Sequence, residues 1–210
     1  GKVFTLRGVL KDLAGNKKEG SPSSNTLIID TVVPTASLSY TVGGSPVSRV
    51  KQGTEVLVTA TLSEPIAVAP VLQIAGSGSN TVSAVDMTRV SSTSYSYSWT
   101  VGVGDGNSHF VVSVGRDLAG NVILATPTSG GLIIVDNTAP SLFTTGVVSV
   151  SGGEVESGYW NGSNSGLTVS VPIGNDVSLS GGKVEVEGRA GNGSYASLGS
   201  AVTLSSLDLS

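Results

Sequence analysis

The chain has 210 residues, of which 39% are hydrophobic, 12% are charged and 5% are aromatic, and its net charge at pH 7 is −4. The dominance of Ser, Val, Gly and Thr disfavours a helical protein, and the hydrophobic content together with the low charge disfavours disorder. The chain has no Cys, which excludes disulfides and thiolate sites, and only one His. The lack of a basic cluster argues against nucleic-acid binding, and the lack of an apolar run of about 18 residues argues against a membrane span.

A repeat with a period of about 105 residues runs through the chain. The string DLAGN occurs at Asp12–Asn16 and again at Asp117–Asn121, a spacing of 105. After each copy comes a short apolar segment that ends in Asp, and a Pro follows four residues later. The first pair is Asp30 and Pro34, and the second pair, 106 residues further on, is Asp136 and Pro140. Two separate motifs that share one period predict a tandem repeat.

The two proline-containing segments predict stiff joints between domains, because Pro cannot donate to a strand ladder and holds the preceding residue extended. We name Asp30–Pro34 the first joint and Asp136–Pro140 the second joint. The joints predict three parts. Residues 1–33 form the C-terminal strands of one domain, residues 34–137 a complete domain, and residues 138–210 the N-terminal part of a further domain.

Alternation of apolar and polar residues predicts strands that are buried on one face. It is clear in Val56–Leu62 and in Tyr95–Val101, whose aromatic side is expected to face the core. The last part shows the same pattern in Leu167–Val171 and Val184–Val186. About seven short strands in a domain of this size, separated by Gly-rich turns, predict an antiparallel β-sandwich.

The order of these motifs resembles bacterial Ig-like repeats of large extracellular adhesins. The resemblance rests on DLAGN, the closing strand and the Asp-x-x-x-Pro joint, and on Ser63-Glu64-Pro65 after a strand. It covers residues 1–140; the last part has Val171–Asp176 in place of Ser-Glu-Pro. It implies tandem antiparallel Ig-like β-sandwiches, one complete and two partial, in a non-enzymatic protein at the bacterial cell surface or outside the cell. It also implies calcium at the joints.

In an Ig-like sandwich, the turn between the last two strands and the turn after the second strand lie at the same end. This placement predicts that Asp30, Glu64, Asp117 and Asn121 converge at the first joint. Carboxylate, amide and backbone carbonyl oxygens are the ligands that Ca²⁺ takes in proteins. The other interpretation is that Asp and Asn serve only as turn residues, because their side chains bond nearby backbone groups.

Further candidate metal ligands lie at the second joint, on a turn of the last part and in the first DLAGN copy. They are Asp136, Asn137, Asn175, Asp176, Asp12 and Asn16. The first four would serve the second joint, and the last two would serve the domain that residues 1–33 complete.

The sequence predicts a structural stalk or filament segment built from tandem Ig-like repeats, with no catalytic residues. The partial segments 1–33 and 138–210 together approximate one repeat, so further copies of the chain are expected to join head-to-tail by strand complementation. The other interpretation is a stretch of a longer protein. The alternative function is a carbohydrate- or receptor-binding module of a secreted enzyme or phage fibre, with Tyr159 and Trp160 as an exposed platform; packing of these rings against a sheet edge is the competing interpretation.

Overall fold

The computed structural model describes residues 1–174 and 177–209 and is an all-β structure of antiparallel sheets, as predicted. The chain divides into two compact units, Gly1–Thr138 and Ala139–Ser210. Among the described residues, no helix has the length and apolar character that a membrane crossing requires.

The strands of the first unit are β1 Lys2–Thr5, β2 Val9–Lys11, β3 Lys17–Glu19, β4 Thr26–Ile29, β5 Ala36–Val42, β6 Ser45–Pro46, β7 Arg49–Val50, β8 Glu55–Leu62, β9 Val71–Ala75, β10 Val82–Asp86, β11 Thr88–Arg89, β12 Ser94–Thr100, β13 Gly106–Ser113 and β14 Leu132–Val135. Those of the second unit are β15 Val148–Ser151, β16 Gly166–Val169, β17 Lys183–Val184, β18 Glu187–Gly188, β19 Ala196–Ser197 and β20 Val202–Thr203, with 3-10 helices at Val177–Leu179 and Ser206–Leu209.

Residues 34–137 contain a sandwich of two five-stranded sheets, which we call the central sandwich. One sheet has the order β11-β12-β8-β5-β6 and the other the order β10-β9-β13-β14-β7. Neighbouring strands are antiparallel except β7 and β14, which are parallel. The inner faces of both sheets contribute to one buried apolar cluster.

The alternating segments form the strands that their pattern predicts. On β8, Val56 and Val58 are fully buried, whereas Leu57 between them is 45% exposed. On β12, Tyr95 and Trp99 are buried, as their alternation predicts, whereas Tyr97 between them is only half-buried. The period of two therefore separates the core face from the solvent face on both strands.

Three aromatic rings join the two sheets at the centre of the core. Phe110 of β13 lies 4.9 Å from the Tyr40 ring of β5 and 5.6 Å from the Trp99 ring of β12, measured between ring centroids. The Trp99 and Phe110 rings meet edge to face at 80°, an arrangement that the ring quadrupoles favour. The Tyr40 hydroxyl donates a hydrogen bond to the carbonyl of Gly130.

The two joints lie at opposite ends of β13. Asp117 follows this strand and neighbours Asp30 of the first joint, whereas Asp105 precedes it and bonds Asn137 of the second joint. An eight-residue strand is roughly 25 Å long. The chain therefore approaches the central sandwich at one end and leaves it at the other.

The remaining segments bury little apolar surface. Every side chain of residues 1–29 is exposed, although β1 pairs with β4 and β2 pairs with β3. In the second unit, Leu204 and Leu209 are the buried hydrophobic residues among those described. The alternation on β16 is weaker than predicted, because Leu167 is exposed while Val169 is half-buried.

Truncation of the fully buried Leu72 on β9 tests the position of the core. We expect Leu72→Ala to lower the free energy of unfolding by about 2–5 kcal/mol, because it leaves a cavity between the sheets. The matched control is Leu57→Ala, which removes the same atoms from an exposed position and is expected to cost less than about 1 kcal/mol. Chemical denaturation measures both, and equal losses would contradict the assignment of the inner faces.

Candidate metal centre

The second DLAGN copy is a closed five-residue loop held by the Asp117 carboxylate. Its Oδ1 accepts the backbone N–H of Asn121 at 2.8 Å, and its Oδ2 accepts the Asn121 side-chain amide at 2.8 Å. The Asp117 backbone N–H in turn donates to the Asn121 carbonyl at 3.1 Å. Gly120 has a φ of +93°, a left-handed conformation that Gly adopts without steric cost.

The first DLAGN copy forms the same loop. Asn16 donates its backbone and side-chain N–H groups to Asp12 at 2.8 and 2.7 Å, and Gly15 has a φ of +90°. The two copies of the motif therefore form nearly the same turn. Asp and Asn thus close the turn in both loops, and any further role depends on what surrounds each loop.

Hydrogen bonding lowers the pKa of both loop carboxyl groups. The side-chain amide of Asn121 is the largest cause of a lowered pKa at Asp117, and backbone N–H groups of the loop add to it against the effect of burial. The side-chain amide of Asn16 lowers the pKa of Asp12 in the same way. Donors that face a carboxylate favour its charged form.

Three carboxylates from three separate segments meet beside the second loop. One carboxylate oxygen each from Asp30, Glu64 and Asp117 lies within 4.8 Å of those of the other two. Asp30 follows β4, Glu64 lies in the turn after β8, and Asp117 follows β13, so the strands that end at the first joint deliver all three. Asp117 is buried, and Asp30 and Glu64 are half-buried. We call these three side chains the acidic cluster.

Asn121 connects the acidic cluster to the preceding segment. Its side-chain nitrogen donates to the backbone carbonyl of Asp30 at 3.1 Å as well as to Asp117. Asn121 therefore contacts the cluster through its amide nitrogen, as a positioning residue. A role for its amide oxygen as a metal ligand stays a prediction.

Backbone and side-chain hydrogen bonds hold the chain around the acidic cluster in place. Pro34 is fully buried, and its carbonyl accepts the N–H of Leu124 at 2.8 Å. Thr35 and Ser63 exchange two hydrogen bonds, at 2.9 and 3.0 Å. Pro34 and Thr35 are thus bonded to the central sandwich at Leu124 and at Ser63, the residue before Glu64.

Among the described residues, no Lys or Arg side chain forms an ion pair with the acidic cluster. Like charges at these separations repel, and the repulsion is larger beside the buried Asp117 than in water. The three carboxylates are placed so that they could hold a metal ion.

Of the ligands predicted for the second joint, Asp136 and Asn137 bond other groups of the first unit. Asp136 faces Arg49 at 4.0 Å and accepts the backbone N–H of Thr138 at 3.1 Å. Asn137 accepts the N–H of Gln52 at 2.6 Å and donates to the Gly104 carbonyl at 3.1 Å. Both residues act as anchors of the chain within the first unit.

The other predicted ligands divide into two groups. Asp12 and Asn16 bond each other, and neither belongs to a group of three metal-binding side chains among the described residues. Asn175 and Asp176 lie outside the described residues.

Asp105 bonds the second joint, a contact that the sequence did not predict. Its carboxylate accepts the backbone N–H of Asn137 and lies 3.5 Å from the Thr138 hydroxyl. The sequence Gly104-Asp105-Gly106 indicates a turn, and only the spatial neighbour 32 residues later reveals the second role.

No family model matches the chain, and no curated protein matches it. The likeness to bacterial Ig-like repeats therefore rests on the motifs themselves and stays a prediction.

Substitution of the loop asparagines tests the cause of the lowered pKa values. We expect Asn121→Ala to raise the pKa of Asp117 towards its ordinary value and to leave Asp12 unchanged, because it removes the donor that matters most. Asn16→Ala is the matched control: it should raise the pKa of Asp12 and leave the pKa of Asp117 unchanged. An NMR pH titration of the carboxyl groups measures both.

The same substitution has a signed effect on stability. A carboxyl whose pKa is lowered by folding stabilises the protein above its unfolded pKa, and this contribution is lost as the pH falls through the folded pKa. Asn121→Ala should therefore reduce the loss of stability on acidification. An unchanged Asp117 pKa in this variant would contradict the assigned cause.

Proposed function

We propose that this chain is a segment of a bacterial extracellular stalk or filament, built from tandem Ig-like β-sandwiches and stiffened by calcium at the first joint. The observation that carries the proposal is the meeting of Asp30, from the preceding segment, with Glu64 and Asp117 of the central sandwich. A cation held by all three would couple the two segments across the joint.

The chemistry of the acidic cluster suits calcium. Ca²⁺ takes six to eight oxygen ligands at about 2.3–2.6 Å, from carboxylates, carbonyls and water. The cluster supplies three carboxylates, and no thiolate or imidazole competes at the site, since the chain has no Cys and its single His109 is exposed on β13. Oxygen-only sites favour hard cations such as Ca²⁺ over zinc and copper.

A structural role also accords with the design of the joints. Pro34 is buried against the sandwich, and the second joint is anchored through Asp105 and Asn137. Both joints are thus short and bonded to the domain that they enter or leave. Restricted joints transmit force and orientation along a row of domains, which is the work of a stalk, and the proposal assigns no catalytic residue.

Calcium is expected to raise the melting temperature of the wild-type chain. Binding to the folded state alone, at a free concentration of 100 times Kd, stabilises by about 2.7 kcal/mol, which corresponds to about 5–10 °C. Glu64→Gln should abolish most of this shift, because it removes one charged ligand and leaves the Asp117 loop intact. Differential scanning calorimetry with calcium and with EGTA measures the shift.

The first DLAGN copy offers the matched control. Asp12→Asn alters the same loop at a site that lacks the two additional acids, so it should leave the calcium response unchanged. Equal melting temperatures of the wild-type chain in calcium and in EGTA would contradict the proposed calcium site.

A second candidate function is carbohydrate binding, favoured by two exposed aromatic rings in the second unit. Tyr159 is 71% exposed and Trp160 is 57% exposed. The loop that carries them is held by Asn164, a buried residue that donates to the carbonyls of Gly152 and Glu154 at 2.9 Å. A fixed loop with exposed rings is a surface on which a sugar ring can stack.

Glycan-array binding tests this second function. If the rings form a platform, Trp160→Ala should abolish binding, because it removes the larger stacking face. Tyr195→Ala is the control, since Tyr195 is exposed to a similar degree but stacks with Arg189 at 4.8 Å. No binding by the wild-type chain, or equal loss in both variants, would contradict a platform at Trp160.

A further inference from the structure

Two identical tripeptides in the second unit have different surroundings. The sequence contains two Asn-Gly pairs, and Ser follows each of them, in residues 161–163 and in residues 192–194. Both tripeptides lie outside the strands. Because the tripeptide is the same, a difference in the chemistry of the two asparagines arises from the structure around them.

An Asn-Gly pair can lose the asparagine amide without an enzyme. The backbone nitrogen of Gly attacks Cγ of Asn and forms a bond that closes a five-membered succinimide ring. The bond from Cγ to Nδ2 breaks, and ammonia leaves with the proton of the Gly nitrogen, carried by solvent. Water then adds to one of the two ring carbonyls and opens the ring to aspartate or isoaspartate. Gly favours the ring closure, because it has no Cβ beside its nitrogen and its backbone is the least restricted.

Hydrogen bonds of its own side chain hold Asn161 away from this reaction. Its Nδ2 donates to the carbonyl of Glu154 at 2.8 Å. Its Oδ1 accepts the backbone N–H of Ser163 at 2.9 Å, which forms an Asx turn, and the Ser163 hydroxyl at 2.7 Å. Ring closure moves the amide towards the nitrogen of Gly162, so these three bonds have to open first.

The backbone at Asn161 is fixed as well. Its N–H donates to Oδ1 of Asn164 at 2.7 Å, and Asn164 is only 8% exposed. The Asn164 amide donates in turn to the carbonyls of Gly152 and Glu154, both at 2.9 Å. The loop therefore resists the backbone rotation that would bring the Gly162 nitrogen to Cγ of Asn161.

Asn192 lies in an exposed turn that leaves its side chain free. Within the part of the chain that the structure describes, this side chain makes no hydrogen bond. The turn is closed by the N–H of Gly193, which donates to the carbonyl of Ala190 at 3.0 Å. Ring closure at Asn192 therefore has to open one backbone bond, whereas ring closure at Asn161 has to open three side-chain bonds.

We propose that Asn192 is a site of spontaneous deamidation, with water as the co-reactant, and that its loop protects Asn161. The product places a carboxylate in the turn between Arg189 and Tyr195, whose guanidinium and ring stack at 4.8 Å. Its isoaspartate form also lengthens the main chain of this turn. The turn thus gains negative charge as the protein ages. The inference is independent of the acidic cluster and of the proposed function.

Incubation of the full chain in mildly alkaline buffer tests the proposal. Peptide mapping by mass spectrometry measures the conversion of amide to acid, and the isoaspartate formed, at each asparagine. Each hydrogen bond that has to open slows ring closure by about fivefold. Asn192 should therefore deamidate at least about tenfold faster than Asn161.

The same measurement in guanidinium chloride is the control for local sequence. Unfolding removes the hydrogen bonds of both sites, so the two identical tripeptides should then react at similar rates. Equal rates in the folded chain, or a difference of the same size in the denaturant, would overturn the proposal.

Two serine substitutions test the cause of the protection. Ser163→Ala removes the hydroxyl that bonds Asn161, so it should speed deamidation there by about fivefold and leave the rate at Asn192 unchanged. Ser194→Ala is the matched control, because no hydrogen bond joins Ser194 to Asn192 in the described structure, and it should change neither rate. An unchanged rate at Asn161 in Ser163→Ala, or a similar acceleration at Asn192 in Ser194→Ala, would contradict protection by the loop.

Discussion

The hydrogen bonds between Asp117 and Asn121 are the interaction on which the organisation of the first joint depends. They close the loop after β13 and lower the pKa of the Asp117 carboxyl group. The same Asn121 amide reaches the carbonyl of Asp30, so the loop also fixes Asp30 at the start of the first joint. Glu64 then meets these two carboxylates from the turn after β8. Without the loop, nothing in the described structure would hold the buried carboxylate towards the joint.

The two DLAGN copies form the same turn in different surroundings. Both close through the same Asp–Asn hydrogen bonds, at nearly equal distances. Only the second copy lies where a preceding strand and a neighbouring turn each bring an additional acid. The motif thus supplies one fixed carboxylate, and Asp30 and Glu64 supply the other two carboxylates of the acidic cluster. A cation in the acidic cluster would relieve the repulsion and would resist bending of the joint, because bending would separate ligands on its two sides.

Two repeating patterns, the alternation along strands and the tandem repeat, made much of the fold predictable. The alternation on β8 and β12 follows directly from the strand period, and the repeat of DLAGN located equivalent loops and the acids beside them. The role of Asp105 was not predictable, because its partner Asn137 is distant in sequence. The burial of Asn80, which bonds the backbone of residues 102–104, was not predicted either, because these partners are also distant in sequence. Alternation also predicted a buried Leu167, which is 47% exposed.

The central claim is that a calcium ion joins Asp30 to Glu64 and Asp117, and anomalous diffraction from crystals grown with calcium tests it most directly. The account predicts an anomalous peak between the three carboxylates, with oxygen ligands at about 2.3–2.6 Å and a coordination number of six to eight. It predicts no such peak at the Asp12 loop. A map without a peak at the acidic cluster, in crystals saturated with calcium, would contradict the account.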